Sequence, residues 1–277
     1  MSHRARASGI GQFSNSLGQV MGLVMAIPLS HTRLQPLFPS IIIFFILSLP
    51  MLLYFKEQKK KEVALTFTEF KNDSKDLYKK FILFFSVSVA IPILVSFFFF
   101  NDALITISNN YSIYLERVFF IPDGIKNIIL MVVLLMSAFG GLAFGKIADK
   151  IGTLKALKYI LISWIILLPT LGLVKSLLPL ILCSALLGFF MGGIWTVTRA
   201  YLSQTLKKEE LGYGFSFYTI FERFATFVGP LTWGGIIAVM GTGATSYRTA
   251  MISMTVYIIL GLVVVSCWRR KENYLVT

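Results

Sequence analysis

Long apolar runs alternate along the chain with short clusters of charge. Eight of the runs approach the roughly 20 residues that a helix needs to cross a hydrocarbon core. They lie at about 11–30, 37–55, 81–108, 125–145, 156–174, 177–203, 213–240 and 247–268. The pattern predicts an all-α polytopic membrane protein with about eight transmembrane helices. In the first run Asn15 and Gln19 interrupt the apolar residues, while Gly11, Ser14, Gly18 and Gly22 offer a small-residue face for close helix packing. Arg4 and Arg6 ahead of an apolar stretch also fit a secretory signal peptide. The broken apolar region and the second run close behind it favour a span.

The longest polar interval, KEQKKKEVALTFTEFKNDSKDLYKK at 56–80, divides the chain. Two spans fall in 1–55, six in 81–268, and 269–277 forms a short polar tail. The interval reads as a solvated cytoplasmic linker, and an amphipathic helix lying on anionic lipid is the alternative.

Composition agrees with the pattern. Of 277 residues 56% are hydrophobic and 14% charged, with 25 Phe and a mean hydropathy of +0.76. Soluble domains carry about 25% charged residues. The net charge of +13 would suit nucleic acid, but the basic residues sit in loops between apolar runs, so no nucleic-acid partner is implied. Their placement instead sets orientation. With the N-terminus cytoplasmic, 19 Lys and Arg fall in inside segments and 5 outside, with Arg199 and Arg223 within spans. Both termini are therefore expected in the cytoplasm, most naturally at the plasma (inner) membrane.

Catalytic chemistry finds little support. Cys183 and Cys267 lie in separate apolar runs, and His3 and His31 have no partner cluster. No Walker A pattern occurs, and no Ser–His or carboxylate–His pair stands at membrane depth. No enzyme, metal or cofactor is expected. The lipid bilayer and a small-molecule solute are the expected partners.

Charges inside the spans carry the functional reading. VSFFFFNDALITIS, residues 95–108, places Asn101, Asp102 and Thr106 in an apolar run. An ionisable residue there usually faces a bundle interior and marks a substrate or proton pathway. Counted from Phe81 at about 1.5 Å per residue, however, Asp102 falls roughly 30 Å along the helix. A structural cap or outer-interface anchor therefore stays open. Arg199 lies on the sixth run and Glu222 and Arg223 on the seventh. Arg199 and Glu222 suit a structural salt bridge and a substrate or proton role equally. Gly229, Pro230, Gly234 and Gly235 predict a packing face and a kink in the seventh span.

The loop GKIADKIGTLK, residues 145–155, joins two spans. Gly145 permits close helix approach and Gly152 a tight turn. Asp149 can accept from a nearby helix N-terminus, while Lys150 and Lys155 can hold opposing acidic groups, together forming a cytoplasmic gate. This loop resembles the signature G-x-x-x-D-R-x-G-R of major facilitator superfamily transporters. Gly145, Asp149 and Gly152 match, Lys150 replaces Arg, and Thr153 stands where a second basic residue is common. FFFFNDALITI (97–107) and SQTLKKEELGYGFSFYTIFERFATFVGPLTWGG (203–235) resemble the vacuolar amino-acid effluxer-like, autophagy-related branch.

The resemblance implies alternating access on a small solute, with amino acids or related metabolites as its class. It also aligns the eight runs with helices five to twelve of a twelve-helix fold. That alignment implies an N-terminally truncated chain, with a separate chain supplying the missing helices, or else a non-transporting remnant or regulatory subunit.

Overall fold

The computed structural model describes residues 4–26, 37–54, 91–206 and 210–275. Among these every regular element is a helix. They are α1 (Arg4–Ala26), α2 (Leu37–Tyr54), α3 (Ile91–Phe119), α4 (Asp123–Ile151), α5 (Thr153–Leu173), α6 (Leu177–Thr205), α7 (Leu211–Phe224), α8 (Val228–Met240) and α9 (Ala244–Leu275). The described residues form two compact units, one holding those up to Val20 and from Ile91 onward, the other those from Met21 to Tyr54. The interval 56–80 lies outside the described residues.

In the smaller unit α2 exposes Phe38, Ile41, Phe44, Phe45, Leu52 and Leu53. A helix so apolar on every side suits lipid or a protein core.

In the larger unit six helices are long and apolar enough to cross a membrane, with α7 and α8 making one crossing together. Three turns gather at one end, between α3 and α4, α5 and α6, and α8 and α9. The Gly152 turn lies at the other. Gly152 alone separates α4 from α5, at φ 90° and ψ 143°, with its N–H donating to Ala148 O at 3.0 Å. A side chain would strain that backbone.

Helix α3 packs along α9 and meets α7 and α8, while α5 lies between α6 and α9. The closest approach joins α4 to α6. A Cβ on Gly140 would meet Phe189 O, one on Gly188 would meet Val133 O, and one on Gly192 would meet Ser137 O. These glycines let the two backbones touch, as small residues do where lipid gives no hydrophobic drive between helices.

Four expectations change. The third span extends beyond 108 to Phe119. The polar run after Ile107 does not end it, because Ser108 Oγ and Asn110 Nδ2 donate to the carbonyls of Leu104 and Thr106, each at 2.8 Å. Tyr111, Tyr114 and Leu115 then continue the buried face.

The seventh span is broken at Ala225–Phe227 rather than merely kinked. Pro230 stands in the first turn of α8, where its missing N–H has no carbonyl to serve. Of the predicted packing face only Gly229 is packed, since Gly234 and Gly235 have open space around them.

Helix α1 packs through a different face from the one expected. A Cβ on Gly11, Gly18 or Gly22 would meet nothing within 4 Å among the described residues, while Ala5, Gly9, Gln12, Ser16 and Val20 are buried. Those five recur at three- and four-residue steps along one stripe.

Candidate functional site

Asp102 sits on the stripe of α3 that also buries Phe97, Asn101 and Thr106. Because α3 continues to Phe119, Asp102 lies near the middle of that helix and away from both its ends. At about 1.5 Å per residue it is about 21 Å along α3 from Glu116, and Gly229 is about 18 Å along α8 from Gly241. Both distances fall well inside a core about 30 Å thick.

Its Oδ2 accepts from the backbone N–H of Gly229 at 2.6 Å. That N–H belongs to the first turn of α8, whose own N-cap, Phe227, offers no side-chain acceptor. A carboxylate on one helix therefore caps a half-helix across the interface. Gly229 must be glycine here, because a Cβ would collide with Thr106 Oγ1 and crowd Asp102 Oδ1.

The compensation is partial. A charge-assisted hydrogen bond gives about 1.5–3 kcal/mol and a helix N-terminus at most about 2 kcal/mol. Removing a carboxylate from water costs several kcal/mol. Asp102 Oδ1, Thr106 Oγ1 and Asn101 Nδ2 remain buried without a partner.

A second group of polar side chains gathers beside this cap. Trp195 Nε1 on α6 donates to Asn101 Oδ1 at 3.3 Å. Tyr218 on α7 stacks on Phe97 with ring centroids 4.2 Å apart. Arg199 and Glu222, both half-buried, lie near enough to the Tyr218 hydroxyl to act on it electrostatically, though neither completes an aligned hydrogen bond with it. Among the described residues no ion pair joins Arg199 to Glu222, the partnership their sequence positions suggested; the pairs present join Arg6 to Asp149 and Lys126 to Glu116 and Asp123. Arg223 is exposed at the lip of the break, where Thr226 Oγ1 donates to its carbonyl at 2.7 Å.

The third feature lies at the Gly152 end. Asp149, with 6% of its side chain exposed, forms an ion pair with Arg6 of α1, Nε to Oδ2 3.1 Å. The approach is an ion pair without hydrogen-bond alignment, since Oδ2 completes no hydrogen bond. Around it Arg4 donates to Ser203 O, and Ser8 Oγ donates to Thr196 O at 2.9 Å. Gly145 admits the Ala5 carbonyl. Asp149 thus faces a cation on α1 rather than a helix N-terminus. Thr153 is buried and donates to Gln204 Oε1 at 3.1 Å. Lys150 and Lys155 are exposed and form no ion pair among the described residues.

Sequence reasoning gave no site role to Arg6, Phe97, Trp195 or Tyr218. One signal was available. Phe97, Trp195 and Tyr218 each precede Asn101, Arg199 and Glu222 by four residues, so each polar group has an aromatic one turn away on the same face.

Comparison with known proteins fits this geometry. The sequence pattern of the Major Facilitator Superfamily matches residues 81–274. The chain is similar to the uncharacterized MFS-type transporter YxiO of Bacillus subtilis strain 168, at 24% identity over 282 residues. That alignment covers 95% of this chain and 62% of YxiO, so the chain spans less than two thirds of its relative's length.

Proposed function

The chain belongs to the Major Facilitator Superfamily, and from that premise we propose that it serves secondary transport of a small zwitterionic solute by alternating access. Amino acids and closely related metabolites are the class that fits. The observation carrying this reading is the placement of Arg199 and Glu222, opposite charges half-buried in the bundle one turn beyond Trp195 and Tyr218, with no ion pair between them among the described residues. A solute carboxylate suits the planar fork of Arg199, and a solute ammonium suits Glu222. Phe97, Trp195 and Tyr218 provide aromatic walls beside them, and Asn101 an amide. With both charges matched, a zwitterion enters without adding net charge to the membrane interior.

Gly145, Asp149 and Gly152 form the gate in this reading, with Arg6 as the cation that Asp149 releases on opening. Lys150 and Lys155 remain free for acidic groups approaching that end. The gate faces the cytoplasm, both termini lie there, and the bundle resides in the plasma membrane. The lipid bilayer surrounds it, and a separate chain completes it.

Reconstitution tests the reading. Proteoliposomes receive the chain alone, or the chain with the part of the Bacillus subtilis relative that it does not match, and uptake of radiolabelled amino acids is followed. Saturable uptake by the completed assembly is expected. Arg199→Gln and Glu222→Gln should each abolish it at unchanged membrane abundance. Uptake indifferent to both substitutions, or no uptake in either preparation, would sink the proposal.

A further inference from the structure

We propose that Asp102 is a proton-binding site whose charge state sets the break between α7 and α8. The carboxyl is completely buried, and its one partner is the Gly229 N–H at 2.6 Å. Independently of that helix end, Thr106 Oγ1 is also completely buried, has no partner, and lies against Gly229 together with Asp102 Oδ1. The structure therefore holds a carboxylate oxygen and a hydroxyl that are both buried without a partner, one helical turn apart on α3 and both against Gly229. An added proton needs a pair of that kind.

Among the described residues no cation pairs with Asp102. Helix α8 carries no titratable residue. On α7 Tyr218 stacks on Phe97, Glu222 and Arg199 of α6 are half-buried with no ion pair between them or to Asp102 among the described residues, Arg223 is exposed, and Tyr213 has its own interactions. Tyr201 of α6 has its own interactions, and Cys183 is a free, buried thiol next to Ser184, which bonds Tyr111. On α9 the Tyr257 hydroxyl is shared with Thr232, Arg248 holds the carbonyls of Gly172 and Val174, Tyr247 is buried at the Gly241 end, and Cys267 is exposed at the other. On α4 Lys126 pairs with Glu116 of α3 and with Asp123, Asp149 pairs with Arg6, and Lys146 and Lys150 are exposed. Within α3, Tyr111 bonds Ser184, Tyr114 donates to Leu171 O, and Arg117 is exposed at the helix end.

The step balances simply. A proton from water adds to Asp102 Oδ1, the carboxylate becomes a neutral acid, and the new O–H donates to Thr106 Oγ1. Gly229 N–H then loses its charged acceptor, and α8 loses the cap that no residue of its own supplies. Because Pro230 prevents a continuous hydrogen-bond ladder through 226–230, the half-helices change angle about Ala225–Phe227 instead of fusing. Protonation is thereby converted into movement of a spanning helix. Coupling that movement to a solute rests on the transport reading above, whereas proton binding itself does not.

The test needs no solute. Infrared difference spectra of the full chain in lipid nanodiscs are recorded from alkaline to acid pH, alongside fluorescence from Trp233, one turn beyond Gly229 on α8. A protonated-carboxyl carbonyl band should appear on acidification, and Trp233 emission should change with the same midpoint. Asp102→Asn keeps an oxygen for the Gly229 N–H, so it should stay folded while losing both signals. Thr106→Val, which keeps the acid, should shift the carbonyl frequency and the midpoint. A wild-type-minus-Asp102→Asn difference spectrum with no such band, or a spectrum untouched by Thr106→Val, would overturn the assignment. Asp102 would then be a permanently charged cap.

Discussion

Replacing Gly192 by Ala should destabilise the bundle, whereas the same change at Gly234 should not. At Gly192 the new methyl would fall on the Ser137 carbonyl oxygen and crowd Gly141 N. Both are backbone atoms that cannot swing aside, so α4 and α6 must separate. Overpacking of this kind costs about 1–3 kcal/mol. Parting the helices also loosens the close contacts at Gly140 and Gly188, which places Gly192 toward the upper end. At Gly234 nothing lies within 4 Å, so Ala there gains helix propensity of at most about 1 kcal/mol. The two variants should therefore differ by about 2–4 kcal/mol. For a chain of this size that is roughly 4–16 °C in melting temperature. Thermal unfolding of both variants in one detergent, followed by loss of monodisperse protein, reads the difference. Equal melting temperatures would refute the claim that glycines close the α4–α6 seam.

Two further outcomes follow from the ends of the bundle. In a double-mutant cycle with Arg6→Gln and Asp149→Asn, the unfolding free energies should show coupling on the order of 1 kcal/mol, kept small because Arg6 is half-exposed; strictly additive effects would show that the 3.1 Å pair does not hold α1 to α4. Arg248 donates to Gly172 O at 2.6 Å and Val174 O at 2.5 Å and lies 5.2 Å from the Phe119 ring centroid. Arg248→Lys should lower stability by about 1–2 kcal/mol in thermal melts, and a wild-type melting curve would remove its role as the clamp on the end of α5.

Apolar runs and the spacing of charges were enough to give the helical class, the approximate places of six of the eight expected spans and the turn at Gly152, because these depend on local chain physics. Burial of the backbone in lipid demands helices, and a positive φ demands glycine. The tight glycine loop and the acid at position 149 were likewise visible, as was the oddity of Asp102 in an oily run. What each acid touches was not visible. Asp149 meets Arg6, more than 140 residues earlier in the chain, and Asp102 meets a backbone N–H that exists only because the seventh crossing is broken at Ala225–Phe227. Packing across helices also decided which glycines matter: Gly9, Gly192 and Gly229 admit another backbone or side chain, while a Cβ on Gly11, Gly18 or Gly234 would meet nothing within 4 Å among the described residues. A helix shows its own periodicity in sequence, but which stripe meets a neighbour depends on how helices rotate about their axes. That rotation is fixed by the fit of whole surfaces, which no single segment encodes.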